Sequence, residues 1–138
     1  PARDGMRAAK VEELTNRGVW LTRRGERLRL GGVDDLWRGA PDVAAALGDA
    51  RPADACVVVS HNPDVAETVR DRRVGLVLSG HTHGGQVVLP GAGSPWLPSR
   101  YGRKYARGLV DAPATRVYVS AGIGLTGVPV RARCKPEI

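Results

Sequence analysis

The chain has three histidines, and each stands where an apolar run ends. Leu76-Val77-Leu78-Ser79-Gly80 leads into His81-Thr82-His83-Gly84-Gly85, and Cys56-Val57-Val58-Val59-Ser60 leads into His61. Side chains two apart on an extended backbone point the same way, so a strand running through Gly80 predicts His81 and His83 on one side. The flanking glycines let the backbone turn sharply and approach a ligand closely. Neutral imidazole is the commonest metal ligand among side chains. His61, His81 and His83 are therefore the candidate metal ligands. The competing reading is three loop histidines satisfied by backbone hydrogen bonds. Asp34-Asp35 are adjacent carboxylates after an apolar run; they could hold a metal or orient an imidazole, or turn the chain by bonding its own backbone.

The elements that position these residues can be read around them. Ala55–Ser60 reads as a strand, Asn62 as a helix cap and Pro63 as the first helical residue. Asp64 suits the positive helix end. That helix is expected to run to about Arg72, and Val74–Ser79 is the next strand. Strand, crossover and strand imply parallel pairing, which places His61 and His81 at the carboxyl edge where open α/β sheets bind ligands. Upstream, a helix is expected from Asp4 to Arg17 with Gly18 as its stop. A hairpin of Val19–Leu21 and Arg27–Val33 follows, turning through Arg23-Arg24-Gly25, and then a short helix from Asp42 to Leu47 ended by Gly48.

Downstream, Gln86–Leu89 reads as a strand. Tyr105–Val110, Arg116–Ser120 and Val128–Arg133 read as antiparallel strands. Residues 91 to 104 form a long loop rich in Gly, Pro and Ser that carries Trp96 and Tyr101, and such a loop is often a substrate wall. Its cations Arg100, Arg103 and Lys104 are candidates to clamp a substrate phosphate. Gly122-Ile123-Gly124-Leu125-Thr126-Gly127 matches the dinucleotide fingerprint, but Val128-Pro129-Val130 follows where a helix should begin. The segment is therefore expected to be a turn near the site, not a nucleotide cradle.

Composition sets the outer bounds. At 138 residues, with 42% apolar and 25% charged side chains, the chain is sized and composed as one globular domain. No apolar run approaches the roughly 20 residues of a membrane span, and no signal-peptide pattern opens the sequence. Cys56 and Cys134 form no Cys-x-x-Cys motif, and Cys56 reads as a buried thiol. The net charge of +7 rests on arginine, whose guanidinium suits phosphate and carboxylate. The basic residues are scattered and not interleaved with aromatics, so specific nucleic-acid binding is not expected.

Four blocks together resemble the calcineurin-like metallophosphoesterases, in particular a bacterial subgroup. They are Ser60-His61-Asn62-Pro63-Asp64, Leu78 through Gln86 with its Gly-His-Thr-His core, Ser120-Ala121-Gly122-Ile123-Gly124 to Pro129, and the tail Cys134-Lys135-Pro136-Glu137-Ile138. The resemblance covers nearly everything from Gly31 onward. It implies an α/β fold of two sheets stacked between helices, an α/β/β/α sandwich, and two divalent ions (Mn, Fe or Zn). It assigns His61 and His81 to one ion and His83 to the other. The implied activity is hydrolysis of phosphomono- or phosphodiesters by a hydroxide shared between ions about 3.5–4 Å apart.

The family's upstream motifs Asp-x-His, Gly-Asp-x-x-Asp and Gly-Asn-His-Asp/Glu do not occur in this sequence. With them go the bridging carboxylate and the histidine that assists the leaving group. Residues 1–138 are thus expected to be the carboxyl-terminal portion of a single metallophosphoesterase domain, its amino-terminal strands missing. Alone, the chain is expected to hold at most about one ion, to turn over negligibly and to associate through an open sheet. The subgroup often carries an amino-terminal export or membrane segment, which implies membrane association through a missing segment and leaves localisation open. Two other readings stand beside this one: a mononuclear zinc hydrolase ligated by all three histidines, and a non-catalytic basic module contacting phosphates.

Overall fold

In the computed structural model, which describes residues 2–138, the histidines are set by one mixed sheet. Strands β1 (Arg17–Arg23) and β2 (Glu26–Gly32) form the expected hairpin. Arg24 and Gly25 turn it with φ of 54° and 84°, the paired positive values that suit a two-residue hairpin. Strand β3 (Ala55–Val59) lies parallel to β2, β4 (Val74–Ser79) lies parallel to β3, and β6 (Arg116–Val119) lies parallel to β4. Strand β5 (Gly108–Asp111) closes the far edge antiparallel to β6, giving the order β1-β2-β3-β4-β6-β5. Four neighbouring strands therefore finish on one edge, at Gly32, Val59, Ser79 and Val119.

Several elements differ from expectation, each for a local reason. Helix α1 spans only Ala2–Ala8. Lys10 and Asn16 then take φ of 55° and 50°, and the Asn16 amide oxygen accepts from the backbone N–H groups of Asp34 and Asp42. Arg17 is drawn into β1, so Gly18 is no helix stop. A Cβ there would lie 2.4 Å from the Ala46 carbonyl, so glycine admits helix α2 (Val43–Leu47) against the sheet. The crossover from β3 to β4 is a short 3₁₀ helix, Pro63–Glu67, capped by Asn62 as expected. It stops early where Thr68 Oγ1 donates to Val65 O and the Arg70 guanidinium to Glu67 O, and Asp71 then takes the N–H and guanidinium of Arg73 into a side-chain turn.

Gln86–Leu89 and Val128–Arg133 form no strands; two isolated bridges, Val87 to Ala132 and Leu89 to Gly93, replace them. Tyr105 belongs to a 3₁₀ turn, Gly102–Tyr105, and is fully buried, while β5 begins only at Gly108. Strand β6 pairs parallel with β4 where antiparallel strands were expected.

The two faces of the sheet are unlike. On one, Cys56, Val58, Val77, Val117 and Val119 pack against Leu47, Val65, Val69 and Tyr105. Each such apolar side chain contributes about 1.5–3 kcal/mol by leaving water. On the other, Val59, Leu78, Tyr118 and Leu109 are cross-strand neighbours and all partly exposed, Leu109 by 57%. The molecule is α/β, and residues 2–138 supply one sheet with an open apolar face, as expected for part of a sandwich. Among the described residues no helix is long and apolar enough to cross a membrane.

Candidate functional site

Beyond β3 and β4 the backbones stay paired, with Ser60 N–H donating to Leu78 O at 3.0 Å and Gly80 N–H to His61 O at 3.2 Å. This pairing carries the parallel register past the sheet and fixes His61 beside His81. His81 then turns to φ 70°. Its Nδ1 lies 3.0 Å from His61 Nε2, and the ring centroids are 4.7 Å apart. Trp37 meets the His81 ring edge-on, at 4.6 Å between centroids. Burial, then the neighbouring His61, hold His81 below its ordinary pKa against the opposing pull of Asp64 and Asp35. The ring is thus neutral and able to ligate at neutral pH. Its Nε2 is buried with no hydrogen-bond partner.

His83 is two residues on and differently housed. Expected strand alternation does not apply: His81 and His83 both have positive φ, and a 3₁₀ turn starts at His83. The His83 Nδ1 lies 3.0 Å from Gly124 O, which can only accept, so Nδ1 carries the proton. Nε2 is left as an acceptor, with Thr126 Oγ1 at 3.1 Å. A ring N–H given to a backbone carbonyl is the usual second contact of a histidine that ligates through its other nitrogen.

The 121–128 segment that receives His83 is held by residues the sequence did not single out. Arg131 donates to the carbonyls of Ala121, Gly122 and Gly124 at 2.7–2.9 Å, and to His83 O at 3.3 Å. Gln86 donates to Thr126 O and Val128 O and accepts from Thr126 N–H. Cys134 is buried beneath, so close that a Cβ at Gly84 would lie 2.6 Å from its sulfur. The Gly122–Gly127 motif is thus a turn that aims carbonyls at a histidine and an arginine. The signals for it in the sequence were its glycines, the Val128-Pro129-Val130 that follows, and its place in one of the four family-like blocks.

All three histidines line one cleft of about 690 Å³ together with Trp37, Trp96, Arg100 and Thr126. Of the three expected phosphate clamps, Arg100 stands there. Its backbone N–H is held by Asp64 at 2.8 Å, and Ser99 Oγ donates to the same carboxylate at 2.6 Å. Arg103 and Lys104 are not brought to the histidines. Arg103 donates to Ala92 O, and Lys104 pairs with Glu67 at 2.6 Å. Asp35 caps Trp37 and Arg38 N–H at 2.9 and 2.7 Å, and Asp34 bonds Asp35 and Ala40 N–H. Those carboxylates make the turn that seats Trp37.

The residues present fit a metal in part. Two nitrogens about 2.0–2.1 Å from one ion, roughly at right angles, lie about 3 Å apart, the separation His61 and His81 show. Among the described residues no three His, Cys, Asp or Glu side chains converge on one point. A three-histidine zinc site therefore draws no support from this geometry.

No family model and no solved structure matches the chain. It is similar to curated relatives. A Bacillus subtilis protein named as the uncharacterized metallophosphoesterase YkuE is 39% identical over 83% of this chain and 40% of its own length. The Escherichia coli phosphodiesterase YaeI is 33% identical over 96% of this chain and 47% of its own length. A bovine transmembrane protein with a metallophosphoesterase domain is 28% identical over 96% of this chain and 32% of its own length. The chain spans less than half the length of these relatives. Over the stretch that it shares with them, the chain belongs to the metallophosphoesterase family.

Proposed function

We propose that residues 1–138 are the carboxyl-terminal portion of a single metallophosphoesterase domain that hydrolyses phosphomono- or phosphodiesters using two divalent ions, Mn, Fe or Zn. His61 and His81 hold one ion and His83 the other, with carboxylates outside these residues completing the centre. The observation that supports this most is the cleft itself: three imidazoles and Arg100 line it at the carboxyl edge of parallel strands. Divalent ions there supply Lewis acidity toward phosphoryl oxygens. Arg100 binds those oxygens and offsets their charge. Trp37 packs edge-on against the His81 ring, and Gly124 O fixes the His83 ring. Membrane association through a segment outside these residues belongs to the same proposal, in keeping with the name of the bovine relative.

The test is a titration of the 138-residue chain with manganese and zinc, read by calorimetry, beside hydrolysis of a chromogenic phosphodiester. About one weakly held ion, lost in His61→Ala, and negligible turnover are expected. Restoring the remaining half, in cis or as a separate chain, should give two ions and activity. Robust turnover with two tight ions on residues 1–138 alone overturns the proposal, as does binding indifferent to His61→Ala.

A further inference from the structure

We propose that the cleft continues into a subsite for one planar aromatic ring, which selects phosphate esters of a single-ring aromatic group. This rests on the phosphoester reading above. A pocket of about 180 Å³ opens between Trp96, Pro95 and Val87 on its walls. His83, Trp96 and Thr126 line both this pocket and the cleft that holds His61, His81 and Arg100. A phosphate among the histidines can therefore extend its organic group past Trp96 without leaving the surface.

Size and chemistry both narrow the occupant. An apolar cavity of about 150 Å³ takes one benzene ring, so this pocket admits one ring and is small for a fused two-ring base. Its polar side chains are already taken. Gln86 is bonded to Thr126 and Val128. Thr82 Oγ1 donates to Ala106 O at 2.7 Å and Ser94 Oγ bonds the Gly85 and Trp96 carbonyls at 2.8 and 2.7 Å, while the Thr126 hydroxyl faces His83 and is released only where His83 Nε2 holds an ion. A base edge needing hydrogen bonds would find few partners; an aromatic ring needs none. Trp96 is 63% exposed, yet its backbone carbonyl is held by Ser94 Oγ. The fold gains little from such a side chain, whereas an indole face stacks well on an aromatic ring.

Phosphonates, whose P–C bond resists hydrolysis, test this without turnover. Phenylphosphonate, methylphosphonate, inorganic phosphate and adenosine monophosphate are titrated into the manganese-saturated chain, read by calorimetry and by indole N–H shifts. Phenylphosphonate should bind about tenfold tighter than methylphosphonate. Trp96→Ala should remove that margin, weakening phenylphosphonate about tenfold more than methylphosphonate. Arg100→Ala should weaken every ligand alike. Equal binding of the two phosphonates, with both weakened by Arg100→Ala, overturns the ring subsite and spares the phosphoester reading. A phenyl preference that survives Trp96→Ala, or tighter binding of adenosine monophosphate than of phenylphosphonate, also overturns the subsite. No binding of any phosphate or phosphonate overturns both.

Discussion

His81 and His83 are two residues apart, yet their corners of the cleft are fastened by opposite charges. The corner of His61, His81 and Arg100 is flanked by carboxylates. Asp64 holds Ser99 and Arg100, and Glu67 holds Lys104 and Tyr105. The His83 corner is fastened by the Arg131 guanidinium and the Gln86 amide, which hold carbonyls. The first corner leaves His81 Nε2 without a hydrogen-bond partner, while the second engages both nitrogens of His83. Ligand readiness is thus reached by two routes: ring against ring at paired strand ends, and a ring fixed by a carbonyl of a turn.

The largest effect should come from the histidines themselves. In a form complete enough to hydrolyse phosphodiesters, His81→Ala and His83→Ala should each abolish turnover, since each removes a ligand that charge stabilisation depends on. Their stability costs should differ slightly. His81→Ala strips a partner from His61 Nε2 but also removes an unpartnered buried nitrogen, and should cost under about 1 kcal/mol, whereas His83→Ala strips a partner from Gly124 O with no such relief. Turnover assays and urea unfolding check both. Near-parental hydrolysis by either variant would refute its role as a ligand.

Next in size is the anchor of the His83 corner. Arg131→Ala leaves several carbonyls without their donor and should lower stability by about 2–4 kcal/mol. Arg131→Lys should recover only part, because an ammonium cannot span the same carbonyls as a planar fork. The urea midpoint reads the loss, and the His83 ring resonances should become those of a mobile side chain. His61 and His81 resonances should hardly move. Simultaneous change at both corners would show that they are one unit.

The sheet offers a control on both corners. Val77 and Leu78 are adjacent on β4 and face opposite ways, Val77 fully buried and Leu78 partly exposed. Val77→Ala should cost about 2 kcal/mol and Leu78→Ala under about 1. Leu78→Asp should instead reduce self-association, measured by sedimentation, because it charges the open face.

How much of this was legible in the sequence depended on where each instruction lies. Asn62-Pro63-Asp64 after an apolar run announces a parallel strand and its crossover, because capping and register are local. The same is true of the β1–β2 hairpin and of α2. The His83 corner was not legible, because Gln86 acts on carbonyls 40 and 42 residues away and Arg131 joins carbonyls 7 to 10 residues back to His83 O 48 residues back, and no spacing rule links them. The Asp4–Arg17 helix misled because its apolar pattern carries no sign that Asn16 bonds a distant loop. Arg100, Arg103 and Lys104 looked equivalent as cations; only the fold shows that Glu67 and Ala92 engage two of them.

The smallest effect follows from the opposite charges at the two corners. Burial pushes the Glu67 carboxyl up, but hydrogen bonds from Lys104 and Tyr105 together outweigh it and leave the group below its ordinary value. The folded state therefore binds this proton less readily than the unfolded chain. The stabilisation is complete above the ordinary carboxylate range and is lost as pH falls through the lowered folded value. The Tyr105 hydroxyl, pushed up by burial and then by Glu67, stays protonated throughout and donates at 2.5 Å. The turn around His83 is held by the Arg131 guanidinium and the Gln86 amide, with a carboxylate, that of Glu137, only on Ala121 N–H, so acid should loosen the segment carrying Arg100 before it loosens that turn. Other lowered carboxylates, at Asp54, Asp71 and Glu137, add slopes of the same sign, so the contribution of Glu67 must be taken by difference. Urea midpoints of the parent and Glu67→Gln, followed from neutral pH to pH 3, should lie apart at neutral pH and converge in acid. Amide exchange should quicken over residues 99 to 105 before residues 123 to 128; Ala121, whose N–H the Glu137 carboxylate holds at 3.0 Å, stands outside the comparison. A constant gap between the two midpoints, or both segments opening together, would show that the charge difference between the corners has no effect on how they are held.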